Sequence, residues 1–107
     1  MKLRQQQVLF VKLLGKLINF AYESGYELTL GEGYRSDNKG HMPNSLHYIK
    51  LAQDLNLFVD GVYIEADHPA WHKLGDYWKS LDPLCAWGGD FSSKDYNHFS
   101  LRYEGRA

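Results

Sequence analysis

The sequence predicts an α+β fold, a small and mainly antiparallel sheet with two or three helices packed around it. Three observations carry that reading. Two stretches, near residues 5–24 and 69–81, repeat apolar residues at the three- and four-residue steps of an amphipathic helix. Short runs between and after them alternate apolar and polar residues, as half-buried strands do. At 107 residues the chain is long enough for one core and too short for two, so one domain spanning 1–107 is expected.

In order along the chain, Gln5 to Ser24 reads as the first helix, with Val8, Val11, Leu14, Leu17, Ile18, Ala21 and Tyr22 as its stripe. Gly25 stands where a left-handed cap is expected. Tyr26 to Tyr34 reads as a strand with Leu28 and Leu30 on one face, and Gly31 and Gly33 hint at a bulge or a close backbone approach. Asp37 to Asn44 is rich in turn formers and predicts an exposed loop. Leu46 to Ala52 reads equally as a helical turn. A strand is expected to begin near Ala52 and run to Val59, followed by an Asp60-Gly61 hairpin turn into Val62–Glu65. Pro69 to Leu81 is the second helix, capped by Asp67 or His68, with Leu74, Tyr77, Trp78 and Leu81 facing inward. Trp87 to Phe91 reads as a turn, and His98 to Tyr103 as the last strand.

Net charge is 12 − 13 = −1, which gives no electrostatic case for nucleic acid or an anionic membrane. The lone Cys85 cannot form an internal disulfide or a thiolate-rich zinc site, and its apolar neighbours predict a buried, inert thiol. Lys12, Gly15 and Lys16 interrupt the apolar run behind the basic start, so no signal peptide is expected, and the cytoplasm of the producing cell is the expected location. Aromatic residues are 15% of the chain, which predicts either a small core built from large side chains or an aromatic-lined groove.

Chemistry concentrates in His47 with Asp54, and in Asp95 with His98, each at a junction where a held backbone can present a side chain to a cleft. Two imidazoles and a carboxylate suit zinc, with a fourth position left for water. Bound zinc lowers the pKa of that water to about 7. Asp95 reads either as a general base placed on the turn before the last strand, or as a turn residue bonding its own backbone. Arg35 reads as a surface guanidinium, or as a fork for a substrate carboxylate or a developing oxyanion. Trp87-Gly88-Gly89 reads as a plain turn, or as a cleft wall where glycine admits a substrate backbone. His68 and His72 have the spacing of a helical metal clamp but no glutamate between them. The same ligand set also serves non-haem iron oxygenases, whose barrel needs more strands than this chain supplies.

Together, Ser45-Leu46-His47, Asp54, Trp87-Gly88-Gly89-Asp90-Phe91 and Asp95-Tyr96-Asn97-His98-Phe99 resemble the M15 zinc peptidases, most closely their phage and prophage endolysin branch, over about residues 34–101. The resemblance implies a hedgehog/D-Ala-D-Ala peptidase-like fold and a zinc cofactor held by His47, Asp54 and His98. It implies Asp95 as the catalytic carboxylate and Arg35 as a catalytic and substrate-binding residue. Ser45 matches the family's serine two before the first ligand, and Ser45 and Trp87 are expected to contact substrate. Many members carry glycine between the first histidine and the aspartate, where this chain has Lys50 and Leu51. The implied partner is the bacterial peptidoglycan stem peptide, with no nucleic acid and no membrane, and the chain is expected to be a monomer. The implied activity is a zinc-dependent L-alanyl-D-glutamate endopeptidase, made in an infected bacterium and acting on the wall after release. The alternatives are a D-alanyl-D-alanine carboxypeptidase, and a non-catalytic wall- or metal-binding module on the same fold.

Overall fold

Leu3–Glu23 contains no proline and a long run of good helix formers, and it forms helix α1. The computed structural model describes residues 1–34 and 45–107. After α1 come strand β1 (Glu27–Leu30), a 3₁₀ turn (Leu46–Ile49), strands β2 (Ala52–Val59) and β3 (Val62–Ile64), and helix α2 (Pro69–Leu81). Strand β4 (Cys85–Trp87), a second 3₁₀ turn (Gly88–Asp90) and strand β5 (His98–Leu101) follow. The sheet runs β1-β2-β5-β4, β3 pairs with β2, and every pairing is antiparallel. This is the α+β class the sequence predicts.

Both helices end as their sequences predict. At the end of α1, Gly25 takes φ +84°, and Tyr26 and Gly25 donate back to the carbonyls of Ala21 and Tyr22 at 2.9 and 3.1 Å. At the start of α2, His68 Nδ1 accepts from the Ala70 N–H at 3.0 Å, with Pro69 in the first turn. The Asp60-Gly61 hairpin turn sets the β2–β3 register, with Val59 opposite Val62.

The face that α1 buries differs from the expected one. Gln6, Phe10, Leu13, Leu17 and Ala21 are buried, while Val8, Val11 and Tyr22 are exposed. Both stripes obey helical spacing, and the one with Phe10 and two leucines removes more apolar area from water. β1 is also shorter than expected. It ends at Leu30, which is 70% exposed, so only Leu28 of the expected pair packs against the core. β4 covers Cys85 and Ala86, for which the sequence predicts no element, and takes Trp87 from the predicted turn, since three residues buried together show no alternation; Gly88–Asp90 forms the turn as expected.

The core lies between the two helices and the sheet, and it uses the aromatic residues. Trp71, Trp78 and Trp87 are each at most 2% exposed, which favours the large-side-chain reading of the composition over an aromatic groove. Phe10 meets Trp78 edge-on at 5.9 Å. The Trp78 indole donates to the carbonyls of Ala86 and Ser100, at 3.0 and 3.2 Å, and so ties α2 to β4 and β5. Burial, with the nearby Asp82 charge adding to it, pushes the Cys85 thiol up to about 12, consistent with an inert core residue. No helix among the described residues is long and apolar enough to cross a membrane.

Candidate metal centre

The site is built where β2 changes neighbours. Ala52–Asp54 pairs with β5, and from Leu55 onward β2 pairs with β1. Asp54 and His98 are directly opposite across that antiparallel pair, so their side chains share a face of the sheet. His47 arrives from the 3₁₀ turn before β2. Ser45 caps that turn, its hydroxyl accepting from the His47 N–H at 3.2 Å. Lys50 then takes a left-handed conformation, φ +59°, which turns the chain from the 3₁₀ turn into the strand. Lys50 and Leu51 occupy the region where the resembled family often carries glycine, and the Lys50 backbone is one that glycine adopts most readily.

Three donor atoms converge. Asp54 Oδ1 lies 3.4 Å from His47 Nε2 and 3.5 Å from His98 Nδ1, and one ligand atom from each residue falls within a 4.8 Å group. His47 and His98 are buried and Asp54 nearly so. His47 Nδ1 is 2.9 Å from the Gly33 carbonyl. A carbonyl can only accept, so Nδ1 carries the proton and Nε2 presents its lone pair to the site. Asp54 Oδ1 and His98 Nε2 are buried without a good hydrogen bond. A buried carboxylate oxygen between two imidazoles, with one ring fixed in the ligating tautomer, fits a divalent cation with nitrogen and oxygen preference.

The electrostatics agree with that geometry. Burial alone would lower the His47 pKa, but the Asp54 carboxylate, the Gly33 carbonyl and Glu32 outweigh it and raise the pKa above 6.5. Burial would raise the Asp54 pKa, but the two imidazoles outweigh it and hold the carboxyl below its ordinary value.

A cleft of about 590 Å³ opens over these residues, bounded also by Glu32, Ser45, Phe91, Ser93, Lys94, Asp95 and Asn97. Asp95 sits on the turn before β5, with half of its side chain exposed and Oδ2 4.0 Å from His98 Nδ1. The Asp95 N–H donates to the Gly88 carbonyl at 3.0 Å, and the Asp95 carbonyl accepts from the His98 N–H at 3.1 Å. A Cβ on Gly88 would lie 2.0 Å from the Asp95 carbonyl oxygen. The glycine therefore admits the chain's own turn, which favours the plain-turn reading of Gly88 over a wall that admits a substrate backbone.

Trp87 is the site expectation the structure moves. It is 2% exposed and does not border the cleft. Its indole donates to the Tyr96 carbonyl at 2.8 Å and braces the turn that carries Asp95. Trp87 ends a three-residue strand, too short to carry a readable period, next to glycines that signal a turn. Ser45 borders the cleft. Arg35 and His41 lie outside the described residues. His68 caps α2 and His72 Nε2 contacts Asp67 Oδ1 at 2.6 Å, so that pair does not form a clamp. Sequence reasoning missed the Gly33 carbonyl as the group that orients His47. Its signal was the pair of glycines in the first strand, because the backbone there runs against Asp54, Gly31 N–H to Asp54 O at 2.8 Å and Asp54 N–H to Glu32 O at 2.7 Å.

Comparison with solved structures finds the crystal structure of Serratia marcescens L-Ala D-Glu endopeptidase ChiX. It has a TM-score of 0.63 and 20% identity, over 85% of this chain and 78% of that one. At that identity the likeness speaks for the fold. Comparison with curated proteins finds no match. Residues 38–101 match the Peptidase_M15_4 family model, described as D-alanyl-D-alanine carboxypeptidase. That span takes in all three converging ligands and the Asp95 turn, and it is well over half of the sequence: the chain belongs to the M15 metallopeptidase family.

Proposed function

We propose that the chain is a zinc-dependent peptidase that hydrolyses an amide bond of the peptidoglycan stem peptide, as a phage or prophage endolysin cutting between L-alanine and D-glutamate. The observation that carries this reading is the Asp54 oxygen set between His47 Nε2 and His98 Nδ1, with Asp95 on the rim of the same cleft. His47, Asp54 and His98 would hold the ion. When bound, zinc supplies an activated water and a Lewis acid for the scissile carbonyl. Asp95 Oδ2 takes the proton from the attacking water and delivers it to the leaving amine. Its exposure leaves it open to both solvent and substrate. The Gly33 carbonyl keeps His47 in the ligating tautomer. Ser45 borders the path of the extended substrate, and Arg35 is assigned the substrate carboxylate or the carbonyl oxygen.

The endolysin assignment draws on the aspartate at position 95, where the carboxypeptidase branch usually has glutamate, and on the endopeptidase activity named for the Serratia structure. The family description favours the second reading, removal of the terminal D-alanine. We further propose a monomer, held in the infected cell's cytoplasm until release.

Digestion of purified sacculi, with mass spectrometry of the products, tests both readings. Chelator-treated protein is expected to be inactive and to regain activity with zinc. A new amine terminus after L-alanine supports the endopeptidase, and loss of a single alanine supports the carboxypeptidase. Asp95→Ala is expected to lower kcat by about 10²–10⁴-fold while zinc binding persists. Full activity of that variant would refute the mechanism.

A further inference from the structure

Helix α2 contributes no residue to the border of the metal cleft, yet one side chain ties it to the Asp95 turn. The Trp87 indole lies against the middle of that helix. A Cβ at Gly75 would stand 2.3 Å from Trp87 Cδ2 and 2.4 Å from Cε3. A Cβ at Gly89 would stand 2.3 Å from Cη2 and Cζ2, so the indole lies against glycine backbone at two places. Glycine in a helix interior is disfavoured against alanine, and the close approach of the indole accounts for it at position 75. Lys79, one turn further on, holds its ammonium 5.6 Å from the centre of the same indole and 2.9 Å from Asp90 Oδ2. It thereby joins α2 to the second 3₁₀ turn.

The indole N–H donates to the Tyr96 carbonyl at 2.8 Å. With the Asp95 N–H on the Gly88 carbonyl and the His98 N–H on the Asp95 carbonyl, three consecutive peptide groups around position 95 are held. The first two bonds close the loop on itself, and the third anchors it to α2 through Trp87. Half of the Asp95 side chain is exposed, so its place depends on the backbone that carries it. We infer that Gly75 is a positioning residue for the proposed base: it seats Trp87, and Trp87 sets where Asp95 stands over the cleft. The inference rests on the peptidase reading and names how the fold holds its base. A methyl at position 75 reaches ordinary contact only when the indole moves by about 1 Å, and the indole takes the Tyr96 carbonyl with it. A displacement of that size at a catalytic group costs up to about a hundredfold in rate.

The test measures kcat per folded molecule of the zinc-loaded chain on a synthetic stem peptide containing both candidate bonds. Gly75→Ala is expected to lower it by about tenfold to a hundredfold, with KM and zinc affinity within about twofold of the unaltered chain. A merely structural role would reduce the folded fraction and leave kcat per folded molecule alone. Trp87→Phe removes the N–H donor and leaves room for the methyl. In that background Gly75→Ala is expected to cost nothing further, so the pair couples strongly in a double-mutant cycle. Three results would each overturn the inference and leave the peptidase reading standing: an unchanged kcat in Gly75→Ala, an equal loss in both backgrounds, or a loss of zinc affinity in step with kcat. If the unaltered chain cuts neither bond, the peptidase reading fails, and amide hydrogen exchange decides the seat. Faster exchange of the Asp95 N–H in Gly75→Ala, with β2 unchanged, supports it. An unchanged Asp95 N–H, or equal acceleration in β2, overturns it.

Discussion

Asp54 Oδ1 carries two interactions that each would be weak alone. At 3.4 and 3.5 Å from ring nitrogens it is too far for good hydrogen bonds and close enough for mutual electrostatic influence. The consequence is a carboxylate that stays ionised well into acid, facing an imidazole that takes a proton more readily than usual. A metal ion and a proton therefore compete for His47 Nε2. Because the His47 pKa lies above 6.5, lowering the pH favours the proton and weakens the metal. Zinc affinity, measured by competition with a chromophoric chelator, is expected to start falling while the pH is still above 6.5. Below that it falls by about tenfold per pH unit for each proton displaced. Affinity that stays flat between about pH 5 and 7 would remove His47 from the ligand set. His47, Asp54 and His98 were all legible in the sequence as ligand types. What spacing could not supply was the Gly33 carbonyl that sets the His47 tautomer, since that contact joins backbone to ring across fourteen residues.

Among the elements, the second 3₁₀ turn does the most for the site without contributing a ligand. The Gly88 carbonyl accepts from both the Phe91 and the Asp95 N–H, at 3.1 and 3.0 Å, and so gathers the chain into the loop that lifts Asp95 to the cleft rim. A methyl at position 88 would meet the Asp95 carbonyl at 2.0 Å and His98 Cβ at 2.9 Å. Backbone on one side and a candidate metal ligand on the other leave no flexible group to yield. Gly88→Ala is expected to destabilise the fold by about 1–3 kcal/mol by overpacking. It should also reduce kcat by more than the lost folded fraction accounts for. Chemical denaturation together with activity at a temperature where the variant is folded would check both parts, and a fully active, fully stable variant would refute the role. Helix α2 and the hairpin turn were readable because caps and turns are local, within a few residues. The buried face of α1 was not, because two stripes fit the same helical period and only the partner surface chooses between them. β4 was hidden for a related reason, as three residues buried on both sides carry no period to read.

At the scale of the whole molecule, the three candidate ligands come from two separate regions of the chain, and sheet pairing brings them together. His47 and Asp54 flank the start of β2, and His98 opens β5, more than forty residues later. The α+β class was readable from the elements, while the strand order was not, since β2 pairs with β5 across the whole of β3, α2 and β4. Without an ion, that junction holds a buried carboxylate oxygen without a good partner, an arrangement that opposes folding. An ion bound by the native arrangement and not by the unfolded chain stabilises it by mass action, by about 2.7 kcal/mol at a free concentration one hundred times Kd. For a domain near this size each kcal/mol raises Tm by about 4 °C or somewhat more, so saturating zinc is expected to raise Tm by roughly 10 °C. Differential scanning calorimetry with and without chelator measures the shift. Asp54→Asn keeps the shape of the side chain and removes the charge the ion needs, so its Tm is expected to respond far less to zinc. If the variant's Tm rises as much as that of the unaltered chain, zinc is stabilising the protein from somewhere other than the junction of β2 and β5.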